Sequence, residues 1–287
     1  MSARVLLVAC EEMPEGDGDE HALPEALGAL DIHAEWVAWG EGEVTADLVV
    51  LRASWDYDAR RAEFLEWCAS VPRLANAVEV VRWNTDKAYL AELAADGVAT
   101  VPTELVRPGE TPDWPSGDVV VKPTIGAGSR GVGRFDAGQR DAAAEHLAAL
   151  HASGHAALVQ PFQSDVDIAG ETALVYFGGV YSHAFHKVVG LSTMSESDLY
   201  ADETLKATEP SAACRRLGED TLDAASARLG IRRADLLYAR VDVLRGSDGG
   251  PVLLELELTE PSVGFAVADA GAPLRFASAI RAALWLS

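Results

Sequence analysis

Apolar residues along this chain come in short β-branched runs separated by stretches with helical spacing. Val5–Ala9 reads as a buried strand, Ala34–Trp39 alternates like one, and Asp47–Leu51 is a third apolar run. Leu23–Leu30 and Glu63–Val71 carry helical spacing. This β-α-β-β-α order, over residues 1 to about 80, predicts a small open α/β unit with a mostly parallel sheet. In such sheets ligands lie beyond the carboxyl ends of the strands. That draws attention to the acidic loop Glu11–His21 and to Arg52–Tyr57, which both follow strand ends. Arg52 and Asp56 are candidate substrate contacts, because charges at a strand end usually have a task or a partner. Trp55 and Tyr57 fit that role or packing at a domain seam equally well.

Further along, Asn84-Thr85-Asp86-Lys87 is expected to open a helix reaching about Ala95, with Asn84 or Thr85 as its cap. Gly97 ends it, and Val98–Val106 is expected as a strand around Pro102. Val119–Val121 is a strand, and Gly131–Phe135 a second one after a glycine-rich loop. Asp141–His151 is helical, and Ala157–Val159 is a strand leading into Gln160-Pro161-Phe162. Glu171–Gly178 and Val180–Val188 predict a hairpin turning at Gly178-Gly179. Gly190–Thr208 is polar and without periodicity, which suggests a lid or binding loop. Ser211–Leu229 is helical, and Leu236–Val243 and Val252–Leu258 pair across the turn Arg245–Gly250. Ala266–Leu286 is mainly helical. The fold class is α/β, becoming α+β in the C-terminal part, with expected units at 1–82, 83–162 and 163–287.

Charge narrows the partners. The 287 residues carry 45 acidic and 23 basic side chains, a net charge of −22, so nucleic acid and anionic membranes are poor partners. An acidic chain still binds a polyphosphate if its few basic residues converge. Cys10, Cys68 and Cys214 form no C-x-x-C pair and support neither a disulfide framework nor a zinc site. No apolar run is long enough to span a membrane, and the apolar start is too short for a signal peptide, so the expected location is the cytoplasm.

Two stretches carry chemistry. In the first, Lys122 leads from a strand into a loop holding Gly126, Gly128, Gly131 and Gly133. Such glycines let backbone N–H groups approach an anion, so the loop reads as a phosphate grip. Residues 126–131 also match G-x-G-x-x-G, but a dinucleotide fingerprint requires a helix where this chain returns as a strand. A kinase loop has its lysine downstream, and no H-R-D or D-F-G triplet follows here. Lys87, in the expected first turn of a helix, stands where the helix dipole disfavours a cation, which an anionic ligand would explain.

The second stretch is the late hairpin. Glu255 and Glu257 are two apart and share a strand face, and pairing brings Asp242 to the same side, with Arg240 beside it. Leu254, Leu256 and Leu258 leave the other face apolar. Three carboxylates on one face repel unless something positive lies between them, and one or two Mg²⁺ ions would serve. His183 and His186, three apart on a strand, face opposite sides, which is poor geometry for one metal.

Lys87, Lys122 before its glycine hairpin, Gln160-Pro161-Phe162 with nearby acids, and Asp242 with Glu255 and Glu257 occur in an order that resembles the ATP-grasp superfamily. The glutathione-synthetase and RimK-like branch is the most similar. The segments WNTDKAYL, VPT, FGGVYSHAFHKV and ELELTEPS are similar to actinobacterial natural-product ligases such as the cycloserine-forming cyclo-ligase. The resemblance implies an ATP-grasp fold with an N-terminal open α/β pre-ATP-grasp domain, and ATP with Mg²⁺ (Mn²⁺ as a substitute). It implies that Lys87 and Lys122 contact the α- and β-phosphates, and that Gly126–Val132, with Gly126, Gly128, Ser129, Gly131 and Val132, closes over the β/γ end. Val159–Phe162, including Gln160, Pro161 and Phe162, would form the adenine hinge, and Asp165 or Asp167 would take the ribose hydroxyls. Arg240 would stabilise charge on the transferred phosphoryl group, and Asp242, Glu255 and Glu257 would hold magnesium. Many relatives carry Asn at the position of Glu257. Lys187 would meet phosphate or substrate, Glu171 a substrate amine, and Ser262 the substrate pocket.

The implied activity is ATP-dependent carboxylate–amine ligation through an acyl phosphate, on a small amino-acid-like substrate, between two molecules or within one. A kinase-like enzyme of the same fold and a non-catalytic nucleotide-binding module are the competing expectations. Dimers are common among relatives, so a homodimer is carried as a further expectation.

Overall fold

The computed structural model describes residues 2–40, 44–128, 130–164, 170–189 and 203–285. The chain begins with β1 (Ala3–Ala9), α1 (Ala22–Gly28), β2 (Ile32–Ala38) and β3 (Leu48–Ala53). A short 3-10 turn at Tyr57–Arg60, α2 (Arg61–Ser70) and β4 (Leu74–Ala75) follow. The strands form one sheet in the order β2-β1-β3-β4, with every neighbour parallel. The runs in β1 and β3 are nearly unbroken because both faces are covered, as parallel strands require. Val5, Leu7 and Val50 pack on Leu23 and Leu27 of α1. Leu6, Val8, Val49 and Leu51 pack on Phe64 and Cys68 of α2.

Two short helices come next, α3 (Val78–Asn84) and α4 (Tyr89–Ala95). The expected cap at Asn84 or Thr85 is corrected here. Asn84 is the last residue of a helix, α4 starts beyond Lys87, and no side chain caps α4. Asn84 instead spends its buried amide on a distant strand: its Nδ2 donates to Leu256 O at 2.7 Å, and Oδ1 accepts from Leu258 N at 2.7 Å. Lys87, expected in a helical turn, lies outside the helix, and its N–H donates to Thr124 O at 2.7 Å.

The expected strand Val98–Val106 is divided at Pro102. Before the proline, Thr100 bridges Leu253 in parallel, and Val101 N donates to Leu253 O at 2.9 Å. After it, β5 (Glu104–Val106) joins β6 (Val119–Pro123), β7 (Gly133–Phe135) and β8 (Ala157–Pro161) in a sheet ordered β5-β8-β6-β7. Proline has no N–H to give a ladder, so the chain changes partners there. Helix α5 (Arg140–Ala152) covers this sheet through Ala143 and Leu147.

The last part holds β9 (Glu171–Phe177), β10 (Val180–Val189), β11 (Glu203–Ala207), α6 (Ala212–Leu229), β12 (Tyr238–Arg245), β13 (Pro251–Glu257) and α7 (Ala272–Trp285). Its sheet is antiparallel in the order β11-β10-β9-β12-β13. Part of the expected loop Gly190–Thr208 is therefore strand β11; residues 190–202 lie outside the described residues. The turn at Gly178-Gly179 has φ of +57° and +72°, and a Cβ on Gly179 would stand 2.6 Å from Arg233 O, so glycine is required there. The terminal helix begins at Ala272 rather than Ala266, after the backbone N–H groups of Phe265 and Ala266 are taken by Asp19.

Strand β9 is buried on both sides and joins two cores. Ala173, Val175 and Phe177 face the N-terminal sheet and α7, where Phe177 stacks on Phe276 with centroids 4.4 Å apart. Leu174 and Tyr176 face α6 and α4. In β13 a register shift opposite Asp242 and Val243 turns Leu253 into the core with Leu256 and Leu258, where the sequence pattern had placed Leu254. The bulge keeps the apolar face covered while Glu255 and Glu257 stay on the other face.

Candidate active site

The site is built around the hairpin of β12 and β13. On β12 the residues Tyr238, Arg240 and Asp242 share a face. That face begins as core, with Tyr238 packed on Phe276, and ends as two buried charges. Across the hairpin Arg240 stands opposite Glu257, and Asp242 opposite Glu255. Arg240 makes a bidentate pair with Asp242, Nε to Oδ1 and Nη2 to Oδ2, both 2.9 Å. Its Nη2 also reaches Glu257 at 2.6 Å, and its Nη1 donates to Ser262 O at 3.0 Å.

Other elements bring their own cations to this face. Lys187 of β10 lies 3.0 Å from Glu171 and 3.4 Å from Asp242. Lys122 of β6 lies 2.7 Å from Glu255. Lys87 lies 3.7 Å from the same carboxylate and donates to Gly126 O at 3.0 Å. The structure thus brings Lys87, Lys122, Lys187, Arg240, Glu171, Asp242, Glu255 and Glu257 together. One premise needs correction: the acidic face is neutralised by the protein's own lysines and arginine, so repulsion alone does not demand a metal.

The electrostatics follow from this arrangement. Burial pushes the Glu255 carboxyl up, but Lys122 and Lys87 outweigh it and hold the group well below the usual range. Asp242 is likewise buried, and Arg240 and Lys187 bring it below its ordinary value. Glu257 goes the other way, raised by burial and by Asp242 against the pull of Arg240. Glu260 is pushed up to about 8 by burial and by Glu257. Burial disfavours the charge on Lys87, yet Glu255, Glu257 and Glu260 raise its affinity for a proton.

The glycine loop lies over this region and is tied to the N-terminal unit. Gly128 and Gly131 have φ of +58° and +71°, and a Cβ on Gly131 would crowd the ring of Pro123 at 3.2 Å. Arg130 pairs with Asp58 at 2.7 Å and donates to Trp55 O at 2.8 Å. Neither Arg130 nor Asp58 stands out in the sequence; the only signal was that Asp58 adjoins the strand-end segment Arg52–Tyr57 and Arg130 lies inside the glycine loop. Val132 follows on the same loop, and Ser129 lies outside the described residues.

Along β8, Gln160 is buried and donates to Thr103 Oγ1 at 2.7 Å, Pro161 O accepts from Gln163 at 3.1 Å, and Phe162 N donates to Asp118 O at 2.9 Å. The Phe162 N–H is thus engaged within the sheet. The guanidinium of Arg134 lies 3.5 Å from the centroid of the Phe162 ring. Asp165 and Asp167 lie outside the described residues.

The expected substrate contacts of the N-terminal unit are corrected. Arg52 is 2% exposed and paired with Glu20, with Nε 2.7 Å from Oε2. It also donates to Pro261 O and lies 4.8 Å from the centroid of the Tyr238 ring. It is a lock between units rather than a group facing a substrate. Asp56 is engaged by Trp39 Nε1 at 2.6 Å and by Arg60 at 2.7 Å. Trp55 takes the seam role, donating from Nε1 to Glu260 O at 2.9 Å, and Tyr57 stacks on Phe64. Ser262 reaches Asp19 at 3.5 Å. His183 donates from Nε2 to Val263 O at 2.7 Å.

The donor set can be tested against magnesium. Among the described residues no three His, Cys, Asp or Glu converge as a ready-made metal cage. Mg²⁺ takes oxygen ligands and is usually held by one or two carboxylates plus substrate phosphates rather than by an all-protein cage. Asp242 and Glu255, paired in register, with Glu257 two residues on, supply that chemistry.

Known proteins are similar to this chain. The family profile described as "D-cycloserine synthetase DcsG, N-terminal domain" matches residues 5–76. The cycloserine biosynthesis protein DcsG of Streptomyces lavendulae is 38% identical over 282 residues, 92% of this chain and 93% of the relative. The crystal structure of D-cycloserine synthetase DcsG superposes with a TM-score of 0.87 at 36% identity, covering 98% of this chain and 99% of that one. The D-alanine–D-alanine ligase of Bacillus anthracis, complexed with ATP, superposes with a TM-score of 0.65 at 14% identity, covering 98% and 97%. At that identity the likeness speaks to the fold. The fold is that of the ATP-grasp ligases. Within that class, the chain belongs to the D-cycloserine synthetase family.

Proposed function

We propose that this ligase closes a ring within a small amino acid, joining its carboxylate to a nitrogen borne on a side-chain oxygen, to give an isoxazolidinone of the cycloserine kind. The supporting observation is that Lys87, Lys122, Lys187 and Arg240, from four separate segments, converge on one acidic hairpin face. Phosphoryl transfer asks a protein for positioning and charge stabilisation more than covalent help, and this face supplies both.

In the first step a substrate carboxylate oxygen attacks the γ-phosphorus of ATP. The bond from that phosphorus to the bridging oxygen breaks, and ADP leaves. In the second step the nitrogen attacks the carbonyl carbon of the acyl phosphate and loses a proton, and the C–O bond to phosphate breaks. In this reading Lys87 and Lys122 bind the α- and β-phosphates, and Gly126–Val132 closes over the β/γ end. Arg240 and Lys187 stabilise charge on the transferred group. Val159–Phe162 borders the adenine. Asp242, Glu255 and Glu257 are the residues that would hold one or two magnesium ions, with manganese as a substitute. Magnesium, when bound, supplies neutralisation of phosphate charge. The Arg130–Asp58 tie keeps the loop down and excludes water, which would otherwise hydrolyse the acyl phosphate. The proposed setting is the cytoplasm, with a free amino acid as substrate, no nucleic-acid partner, and a homodimer as the assembly.

The test is Mg²⁺-dependent ADP release by the pure protein, with amino acids bearing aminooxy or ureido side chains offered singly and with a second amine. Release with one substrate alone, and a product lighter by at least the elements of water, supports ring closure. Release that requires the second amine, with a product containing both molecules, replaces it with intermolecular ligation.

A further inference from the structure

Glu260 is an ionisable group to which the proposed mechanism gives no role. It lies just past β13 and is 8% exposed. Among the described residues its carboxylate enters no hydrogen bond and no ion pair. Glu257, Lys87, Arg240, Arg52 and Tyr57 are all close enough to interact with it electrostatically. Each of those cations is already committed: Arg52 to Glu20, Arg240 to Asp242 and Glu257, and Lys87 to Gly126 O and Glu255.

The backbone around Glu260 is fastened on every side. Thr259 O accepts from Tyr238 Oη at 2.7 Å, Glu260 O from Trp55 at 2.9 Å, and Ser262 O from Arg240 at 3.0 Å. Pro261 O accepts from Arg52. Such support holds a side chain in one place, as a preorganised binding group requires. A buried carboxylate without a partner is costly, so without ligand the group keeps its proton to about pH 8, and an arriving cation offsets that cost by taking the proton's place.

Two kinds of cation could arrive. A divalent metal needs several oxygen ligands, and among the described residues no three acidic, histidine or cysteine side chains converge. A single carboxylate matches a single ammonium. We propose that Glu260 receives the primary ammonium of the amino-acid substrate and so determines that the substrate must carry one. This rests on the ring-closing ligase reading.

Binding calorimetry in Mg²⁺ and ADP tests it, with D-cycloserine, which carries a ring amine, and isoxazolidin-3-one, which lacks it. The wild type is expected to bind the amino ring about 10- to 100-fold more tightly than the bare ring. In Glu260→Gln that preference falls to near unity, while the bare ring binds within about twofold of wild type, which also shows that the variant is folded. A wild type without the preference overturns the assignment, whatever the variant does. So does a preference that survives in Glu260→Gln; if the wild type also releases ADP with a single substrate, the ligase reading stands without it. A wild type that binds neither ring and releases no ADP with any single substrate overturns both.

Discussion

Asp242 and Glu255 face one another across the hairpin of β12 and β13, yet they are neutralised from different parts of the chain. Asp242 takes Arg240 from its own strand and Lys187 from β10. Glu255 takes Lys122 from the central sheet and Lys87 from the segment before α4. The pair is therefore where the central and C-terminal parts of the fold are joined by charge, and it is also where the phosphates are proposed to lie. Incoming phosphates would compete with the carboxylates for the same lysines.

Lys122→Met separates these tasks. It removes the nearer cation from Glu255 and one proposed phosphate contact. Loss of a positioned donor to a developing charge lowers rates by roughly 10²–10³. The expected result is a fall of that size in kcat/KM for ATP, read by ADP release, with a Tm within a few degrees of wild type because Lys87 still faces Glu255. A variant with near-normal kcat/KM would remove Lys122 from the phosphate site.

Arg52 and Glu20 give a prediction about architecture. Breaking a buried ion pair by removing one partner leaves a buried charge and costs about 3–5 kcal/mol. Arg52→Met should lower the urea midpoint accordingly, and adding Glu20→Gln should recover part of the loss. KM for the substrate should hardly change in any folded fraction, since Arg52 faces Pro261 O and Tyr238 rather than open space. A large rise in KM with stability intact would return Arg52 to the substrate site.

What could be read from the sequence divides along physical lines. The strands of the first unit were visible because both faces of β1 and β3 are buried, and continuous apolar runs need no knowledge of their neighbours. The acidic hairpin was visible because side chains alternate along a strand and the turn residues limit the register, although the bulge exchanged Leu254 for Leu253. The misread groups are polar residues whose partners are far away in sequence. Asn84 looked like a helix cap, since Asn favours caps, but its amide serves residues more than 170 positions on. Arg130 and Asp58 are 72 positions apart, and Arg52 and Glu20 are 32 apart; no period connects either pair.

The Arg130–Asp58 tie predicts a defect in coupling. Asp58→Asn weakens the hold of the N-terminal unit on the glycine loop and leaves the groups proposed to contact phosphate in place. A partly buried pair of this kind contributes on the order of 1 kcal/mol, so the closed loop loses about fivefold in occupancy relative to open forms. Water then reaches the acyl phosphate more often. The ratio of ADP released to amide product should rise several-fold above wild type, while single-turnover ADP formation slows less. An unchanged ratio would show that closure does not depend on this pair.

Glu260 makes stability fall with rising pH over a defined window. Its folded carboxyl titrates near 8, raised by burial and by Glu257, against about 4.3 in an unfolded chain. Between those values the folded protein keeps a proton that the unfolded chain has lost. Stability contributed by this group therefore falls as pH rises through that window, and the loss is complete above the folded value. Asp242 and Glu255 are shifted downward, so their contributions are present above the ordinary carboxylate range and fade only as the solution becomes strongly acidic. Comparing wild type with Glu260→Gln cancels those acidic effects and isolates the one group. In the absence of ligand, the variant should be close to wild type at pH 5 and increasingly more stable toward pH 8, by up to a few kcal/mol on the order-of-magnitude scale of such shifts. Paired thermal or urea melts across that range measure the difference directly. A constant difference at every pH would mean that Glu260 keeps an ordinary acidity in the folded protein, and that the strand-end segment holding it is open to water.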